Sequence, residues 1–97
     1  MDDTLRSCRE FTAVLASAAP TPGGGGAAAL TAAIGTALGV MVPSLTTGKR
    51  AYASVENEIR QLLSMTTALQ EDLLDQVAAD AEGFLPLAAV YLSLIHI

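Results

Sequence analysis

The sequence has one cysteine, one histidine and no tryptophan, and these shortages exclude several kinds of chemistry. A lone Cys8 cannot form an intrachain disulfide and cannot build a zinc site. Because the lone His96 lies in a doubtful tail, Ser/His/Asp catalysis, Cys/His catalysis and metal chemistry have no visible support. We therefore expect no metal and no cofactor.

Charge is also scarce. Charged residues make up 15% of the chain, against about 25% in an average soluble domain. The net charge is −5 with five basic residues, of which only Lys49 and Arg50 are adjacent, so the pattern does not favour nucleic-acid binding. The acidic start, Met1 to Asp3, lacks the basic region of a secretory signal and favours a cytoplasmic protein.

No charged residue occurs between Phe11 and Gly48, and residues 27–42 are almost entirely apolar. This run is shorter than the roughly 18 to 20 apolar residues of a membrane span, and it consists mostly of Ala, Gly and Thr. We interpret it as a buried helix of small residues and expect no contact with a membrane. A small membrane-associated protein remains an alternative.

The hydrophobic spacing predicts three helices. The first runs from about Thr4 to Ala18, with Thr4 or Asp3 as its N-cap, and ends before the Pro20-Thr21-Pro22 segment. Its inward face is formed by Leu5, Cys8, Phe11 and Leu15.

The second helix is expected from Gly26 or Ala27 to about Thr46, after a loop formed by the four glycines 23–26. Pro43 is expected to kink its last turn and Gly48 to end it. Gly35 and Gly39, four residues apart, would let another helix approach closely.

The third helix is expected from Val55 to at least Phe84, with Ser54 as its N-cap and weak points at Gly83 and Pro86. A near-heptad seam of apolar residues faces inward: Val55, Ile59, Leu62, Thr66, Leu69, Leu73 and Val77. The predicted fold is all-α, an up-and-down bundle of long helices. The shortage of charge favours an oligomer or further sequence.

Three features could carry chemistry. The glycine run before a helix either presents free backbone N–H groups to a ligand or is a flexible turn. Asp80 either continues the apolar seam after Val77, where a carboxyl would serve as a general acid or base, or faces water. Lys49 and Arg50 either complement a helix C-terminus or anchor a ligand carboxylate.

These features together resemble a known family. The segments are PTPGGGGAAAL at 20–30, MV at 41–42, LTTGKRAY at 45–52 and DAEGF at 80–84, and the likeness extends from about Leu5 to Tyr91. They are similar to the cyclodeaminase/cyclohydrolase family, which includes the cyclodeaminase domain of formiminotransferase-cyclodeaminase and the bacterial methenyltetrahydrofolate cyclohydrolases. Each segment alone is unspecific, whereas the set is fairly specific.

The resemblance implies a helical, homodimeric enzyme that acts on one-carbon tetrahydrofolates. It either closes 5-formiminotetrahydrofolate with release of ammonia or opens the 5,10-methenyl ring with water. Both reactions need proton transfers more than a nucleophile or a metal. The resemblance makes Asp80 the general acid/base and assigns substrate binding to a set of six residues: Gly23, Gly24, Gly25, Gly26, Lys49 and Arg50.

The sequence departs from the family in two places. Gly26 stands where the family commonly has Ser, and residues 92–97 replace the family's continuation with an apolar stretch that resembles translated adapter sequence. We therefore expect residues 1–91 to be the N-terminal part of such a domain and 92–97 to be a doubtful, artefactual tail. The alternative to a folate enzyme is a non-catalytic helical oligomerisation module.

Overall fold

The chain folds into a thin helical rod in a computed structural model that describes residues 2–95 and the side chains of 2–94. Its helices are α1 (Cys8–Leu15), α2 (Gly24–Thr46) and α3 (Glu56–Ile95). Short 3₁₀ helices cover Asp3–Leu5 and Arg50–Val55. No strand occurs within the described residues, so the predicted all-α fold is confirmed.

Helices α2 and α3 form an antiparallel hairpin that makes up most of the molecule. The end of α2 meets the start of α3, where Gly48 contacts Glu56, and the start of α2 meets α3 near Val77. The last turns of α3 extend beyond α2, which contributes to the principal dimensions of 68 × 23 × 17 Å. The predicted up-and-down arrangement of long helices is therefore found in this hairpin.

The first helix is shorter than predicted. Ser7, rather than Thr4 or Asp3, is its N-cap, because the Ser7 hydroxyl accepts a hydrogen bond from the Glu10 N–H at 3.0 Å. Of the predicted inward face, Phe11 alone is buried, while Leu5, Cys8 and Leu15 are exposed.

The four glycines do not form a loop, which corrects the prediction. Gly23 is the N-cap of α2, and Gly24, Gly25 and Gly26 form its first turn. Four consecutive glycines have little helical propensity of their own, but this turn is packed against α3, and tertiary contacts can outweigh propensity.

The other end of α2 follows the prediction at Thr46. Gly48 adopts φ +77°, the left-handed conformation that ends many helices. Pro43 lies buried within the helix. Helix α3 begins at Glu56, one residue after the predicted start and behind a 3₁₀ helix instead of the predicted Ser54 cap. It continues through Gly83 and Pro86.

The inward face of α3 differs from the predicted seam. Ile59, Thr66, Leu73 and Val77 lie inward as expected, but Leu62 and Leu69 are each 51% exposed. The inward residues are instead Ile59, Leu63, Thr66, Gln70, Leu73, Leu74, Val77 and Ala81. After Val77 the next inward position is therefore four residues on, at Ala81, because a straight helix does not keep a strict 3.5-residue repeat.

The hydrophobic core is small. Within the described residues, the buried apolar side chains are Phe11, Ala33, Val77 and Ala81, together with the prolines Pro22 and Pro43. Both α2 and the helical segment from Arg50 to Leu94 are long and apolar enough to cross a membrane by length and composition. The 23-residue length of α2 removes the length argument against a span, and the expectation of no membrane contact stays a prediction.

Candidate active site

The first turn of α2 forms one wall of the candidate site. Helical hydrogen bonding begins when the Ala27 N–H donates to the Gly23 carbonyl at 2.9 Å. The N–H groups of Gly24, Gly25 and Gly26 therefore have no carbonyl partner inside the helix. Since no side chain caps this end, the turn presents backbone donors and the positive end of the helix dipole.

Asp80 of α3 stands directly over this turn. A Cβ atom placed on Gly25 would lie 2.6 Å from the Asp80 Cγ and 2.7 Å from its Oδ2, so only glycine leaves room for the carboxylate. The structure thus brings together the glycine run and the aspartate, two features far apart in the sequence. The juxtaposition places a negative carboxylate beside the positive end of α2.

Asp80 is exposed, so of the two alternatives that the sequence left open the structure shows the one in which Asp80 faces water. Ala81 takes the inward position instead, and Asp80 sits at the edge of the α2–α3 contact. The carboxylate is therefore open to a ligand from solvent, and the hairpin places the residue beside Gly25. Its role as a general acid or base stays a prediction.

Gly26 is buried beneath the same turn. A Cβ atom there would lie 3.6 Å from the Pro22 Cβ and 3.9 Å from the Val77 Cγ1, which are ordinary contact distances. The Cβ of an alanine or a serine would therefore fit at this position without moving these neighbours. The space around position 26 therefore does not require a glycine.

Lys49 and Arg50 lie at the opposite end of α2. The 23 residues of α2 separate them from the glycine turn by about 33 Å, which exceeds the length of an extended monoglutamyl folate. Within one chain they therefore cannot contact the same small ligand as Asp80. They line a separate concavity of about 340 Å³ together with Gly48, Ala53 and Glu56.

Glu56 organises this second concavity and was not among the residues predicted from the sequence. Its carboxylate accepts hydrogen bonds from the Thr47 hydroxyl at 2.8 Å, the Gly48 N–H at 3.0 Å and the Arg60 Nε at 3.0 Å. The Thr47 hydroxyl, followed by the Gly48 N–H, lowers the pKa of Glu56 below its ordinary value. Glu56 thereby fixes the turn from which Lys49 and Arg50 project.

A second unpredicted feature is an apolar pocket of about 440 Å³ beside Asp80 on α3. Phe84, one turn beyond Asp80, forms part of its wall. The pocket is lined by Ala18, Pro20, Phe84, Leu87, Ala88, Tyr91 and Leu92. The spacing of Phe84, Leu87 and Tyr91 on one helical face was the signal that could have revealed it.

Within residues 2–94 no group of three or more His, Cys, Asp or Glu side chains could hold a metal ion. The absence of a metal in the reaction stays a prediction. His96 lies outside the described residues.

Comparison with known proteins finds one family model and several relatives that match most of this chain. The family model for formiminotransferase-cyclodeaminase matches residues 7–93. A methenyltetrahydrofolate cyclohydrolase from Methylorubrum extorquens is 50% identical over 70 residues, which are 72% of this chain and 34% of that protein. No solved structure matches the chain.

Two formimidoyltransferase-cyclodeaminases are also similar. The protein from Dictyostelium discoideum is 44% identical over 59% of this chain and 11% of its own length. The protein from Rattus norvegicus is 36% identical over 80% of this chain and 14% of its own length. The chain thus corresponds to about a third of the cyclohydrolase and a smaller part of the cyclodeaminases.

Proposed function

Because this chain belongs to the formiminotransferase-cyclodeaminase family, we propose that it acts on one-carbon derivatives of tetrahydrofolate. The observation that carries the proposal is the position of the Asp80 carboxylate over Gly25, in the first turn of α2. A proton-transferring group and a row of backbone donors meet there at a surface that a flat ligand can reach. The reaction needs both, since it creates and breaks a tetrahedral carbon between two nitrogens.

The favoured reaction is the hydrolysis of 5,10-methenyltetrahydrofolate. The relative named for this activity is 50% identical to the chain, against 44% and 36% for the two cyclodeaminases compared above. Closure of 5-formiminotetrahydrofolate with loss of ammonia is the second candidate. It requires the same proton transfers at the same carbon.

In the proposed mechanism, the Asp80 carboxylate accepts a proton from a water molecule as the water oxygen bonds to the methenyl carbon. The bond between that carbon and N5 then breaks as the Asp80 carboxyl returns the proton to N5, while the hydroxyl on the carbon becomes the formyl C=O and releases its proton to solvent, which carries away the positive charge of the methenyl ring. The formyl group remains on N10, so atoms and charge balance without a metal. The N–H groups of the glycine turn orient the substrate while Asp80 moves the proton.

The proposed enzyme is a cytoplasmic homodimer with a folate substrate. The described part of the chain has a small core and many exposed large apolar side chains, which supports the need for a covering partner. The alternative is a non-catalytic oligomerisation module, for which the exposed apolar faces of α2 and α3 would be the whole function.

The test is to measure methenyltetrahydrofolate hydrolysis by absorbance and 5-formyltetrahydrofolate binding by calorimetry, with the unmodified chain and with Asp80→Asn. We expect Asp80→Asn to lower the rate by about 10²- to 10⁴-fold, the usual effect of losing a general acid or base. Its melting temperature should change little, because Asp80 is exposed.

The variant Asp80→Leu distinguishes the proposed enzyme from the alternative, a non-catalytic oligomerisation module. In a module this change is neutral or stabilising, since it replaces an exposed carboxylate at the edge of an apolar contact. A chain that binds no folate in its folded state, or an Asp80→Asn variant with full activity, would contradict the proposed function.

A further inference from the structure

The apolar pocket of about 440 Å³ adjoins the candidate site and takes no part in the proposed proton transfers. Its volume lies within the range of about 300 to 1,000 Å³ that is typical of pockets for small organic molecules. Part of its wall consists of Phe84, Leu87 and Tyr91. These residues follow Asp80 at helical spacing, so the pocket continues the face of α3 that presents Asp80 to Gly25.

The segment that leads into the glycine turn forms another part of the wall. Ala18 and Pro20 belong to this segment and line the pocket. A Cβ atom placed on Gly23, the N-cap of α2, would lie 3.8 Å from the Pro20 carbonyl oxygen, so the segment lies against the start of α2. The parts of the chain that build the candidate site therefore also line the pocket.

The free N–H groups of the glycine turn point toward the side of the molecule on which the pocket lies. Helix α3 runs antiparallel to α2 and continues past the first turn of α2 to the residues that line the pocket. Because the N–H groups of a helix point toward its N-terminus, those of Gly24, Gly25 and Gly26 point in the direction in which α3 continues. A ligand beside Asp80 therefore has backbone donors on one side and the apolar pocket on the other.

We propose that this pocket holds the benzene ring of the p-aminobenzoyl group of the tetrahydrofolate substrate, and that Phe84 and Tyr91 select for that ring. This inference rests on the proposed function and assigns one part of the substrate to a place in the fold. The ring is bonded to N10, and N10 is bonded to the reacting carbon. Phe84 lies one helical turn, about 6 Å, along α3 from Asp80. A substrate whose reacting carbon is at Asp80 thus places its benzene ring at Phe84.

The polarity of the pocket decides which ring of the substrate it takes. Among the described residues that line it, the Tyr91 hydroxyl is the one polar side-chain group. A tetrahydropterin ring carries several hydrogen-bond donors and acceptors, and burying them without partners would weaken binding. A benzene ring has none, and it packs favourably against Phe and Tyr side chains. The pterin ring is therefore left to the polar surface at the glycine turn and Asp80.

Nuclear magnetic resonance of the unmodified chain with 5-formyltetrahydrofolate tests the contact directly. The chain has two phenylalanines, of which Phe11 is buried, so the ring signals of Phe84 can be assigned from the Phe84→Ala variant. We expect nuclear Overhauser effects between the benzene protons of the ligand and the ring protons of Phe84 and Tyr91. Effects from the pterin protons to these rings, or none from the benzene protons, would overturn the proposal.

Two probes separate the contact with the benzene ring from a general effect on the site. Titrations followed by magnetic resonance use 5-formyltetrahydrofolate and 5-formyl-6-methyltetrahydropterin, which lacks the p-aminobenzoyl group. Phe84→Ala should weaken the first ligand about 10-fold and leave the second unchanged. Its melting temperature should change little, because Phe84 is 41% exposed.

Two further variants serve as controls. Val90→Ala removes an apolar side chain that is 57% exposed on the same helix but does not line the pocket, so it should leave both affinities unchanged. Tyr91→Phe keeps the aromatic ring and should keep the affinity for 5-formyltetrahydrofolate, whereas Tyr91→Ala should lower it.

The outcomes distinguish this proposal from the proposed function. If Phe84→Ala weakens both ligands equally, or neither, the pocket does not select for the benzene ring while the proposed function stands. If Phe84→Ala instead converts a dimer into a monomer in sedimentation and leaves both affinities unchanged, the pocket is an interface between copies and the proposal is wrong. Failure of the folded, unmodified chain to bind either ligand contradicts the proposed function, and this proposal falls with it.

Discussion

Substituting Gly25 by alanine should separate folding from function. The new Cβ would lie 2.6 Å from the Asp80 Cγ, whereas an ordinary contact begins at 3.4 Å, so the carboxylate must move by about 1 Å. Because Asp80 is an exposed side chain, it can rotate away at little cost to the fold. Alanine also favours the helix over glycine by up to about 1 kcal/mol.

Gly25→Ala is therefore expected to melt at the same or a higher temperature than the unmodified chain while losing function. A misplacement of about 1 Å in a catalytic group can lower the rate by about 10²-fold. Thermal unfolding followed by circular dichroism measures the first effect, and methenyltetrahydrofolate hydrolysis measures the second.

Gly24→Ala is the matched control, because a Cβ at Gly24 meets nothing within 4 Å. It should gain the same helix stability and keep its activity. A second control is Gly25→Ala in an Asp80→Ala background, where the collision is gone; its gain in stability over Asp80→Ala alone should match the gain of Gly24→Ala over the unmodified chain. If Gly25→Ala and Gly24→Ala have the same activity, the steric reasoning is wrong.

Three further predictions concern the scaffold. Val77→Ala should lower the free energy of unfolding by about 2 kcal/mol in chemical denaturation, because Val77 is 1% exposed and loses two buried methyl groups. Because the pKa of Glu56 is lowered in the folded chain, ionised Glu56 stabilises the fold at pH values above the pKa of an unfolded glutamate. This stabilisation is lost as the pH falls through the lower pKa of the folded state. Melting temperature measured against pH should therefore fall less in Glu56→Gln than in the control Glu58→Gln; equal falls would show that Glu56 does not contribute. Gly48→Ala should destabilise the chain by about 1 kcal/mol, because φ +77° is unfavourable for alanine, and an unchanged denaturation midpoint would contradict this.

The sequence predicted the helix ends well where apolar spacing or a glycine marks them. The end of α2 at Thr46 and the start of α3 near Val55 followed from the apolar spacing and from Gly48. The glycine turn was assigned to a loop because local propensity argues against a helix, whereas its contact with Val77 of α3 decides the outcome. Such a contact joins residues about 50 positions apart and is invisible to a local pattern.

The candidate site was predicted in its components but not in its arrangement. A strict heptad count placed Asp80 inward, while the helix turns Ala81 inward and leaves Asp80 at the edge of the hairpin. The count could not show that this edge faces Gly25. The separation of Lys49 from Asp80 follows from the length of α2 and from the packing of Asp80 against its first turn, and only the second of these could not be predicted from the sequence.

The first turn of α2 also determines how the site responds to heat. This turn consists of glycines, which lose the most backbone freedom on folding, and its N-cap Gly23 supplies no side-chain hydrogen bond. Local opening of this turn should therefore require less free energy than opening of the helix near Ala33, and its amide hydrogens should exchange with deuterium sooner. A ligand seated there would slow that exchange, so the proposed binding surface and the turn of α2 that is expected to open most easily consist of the same residues.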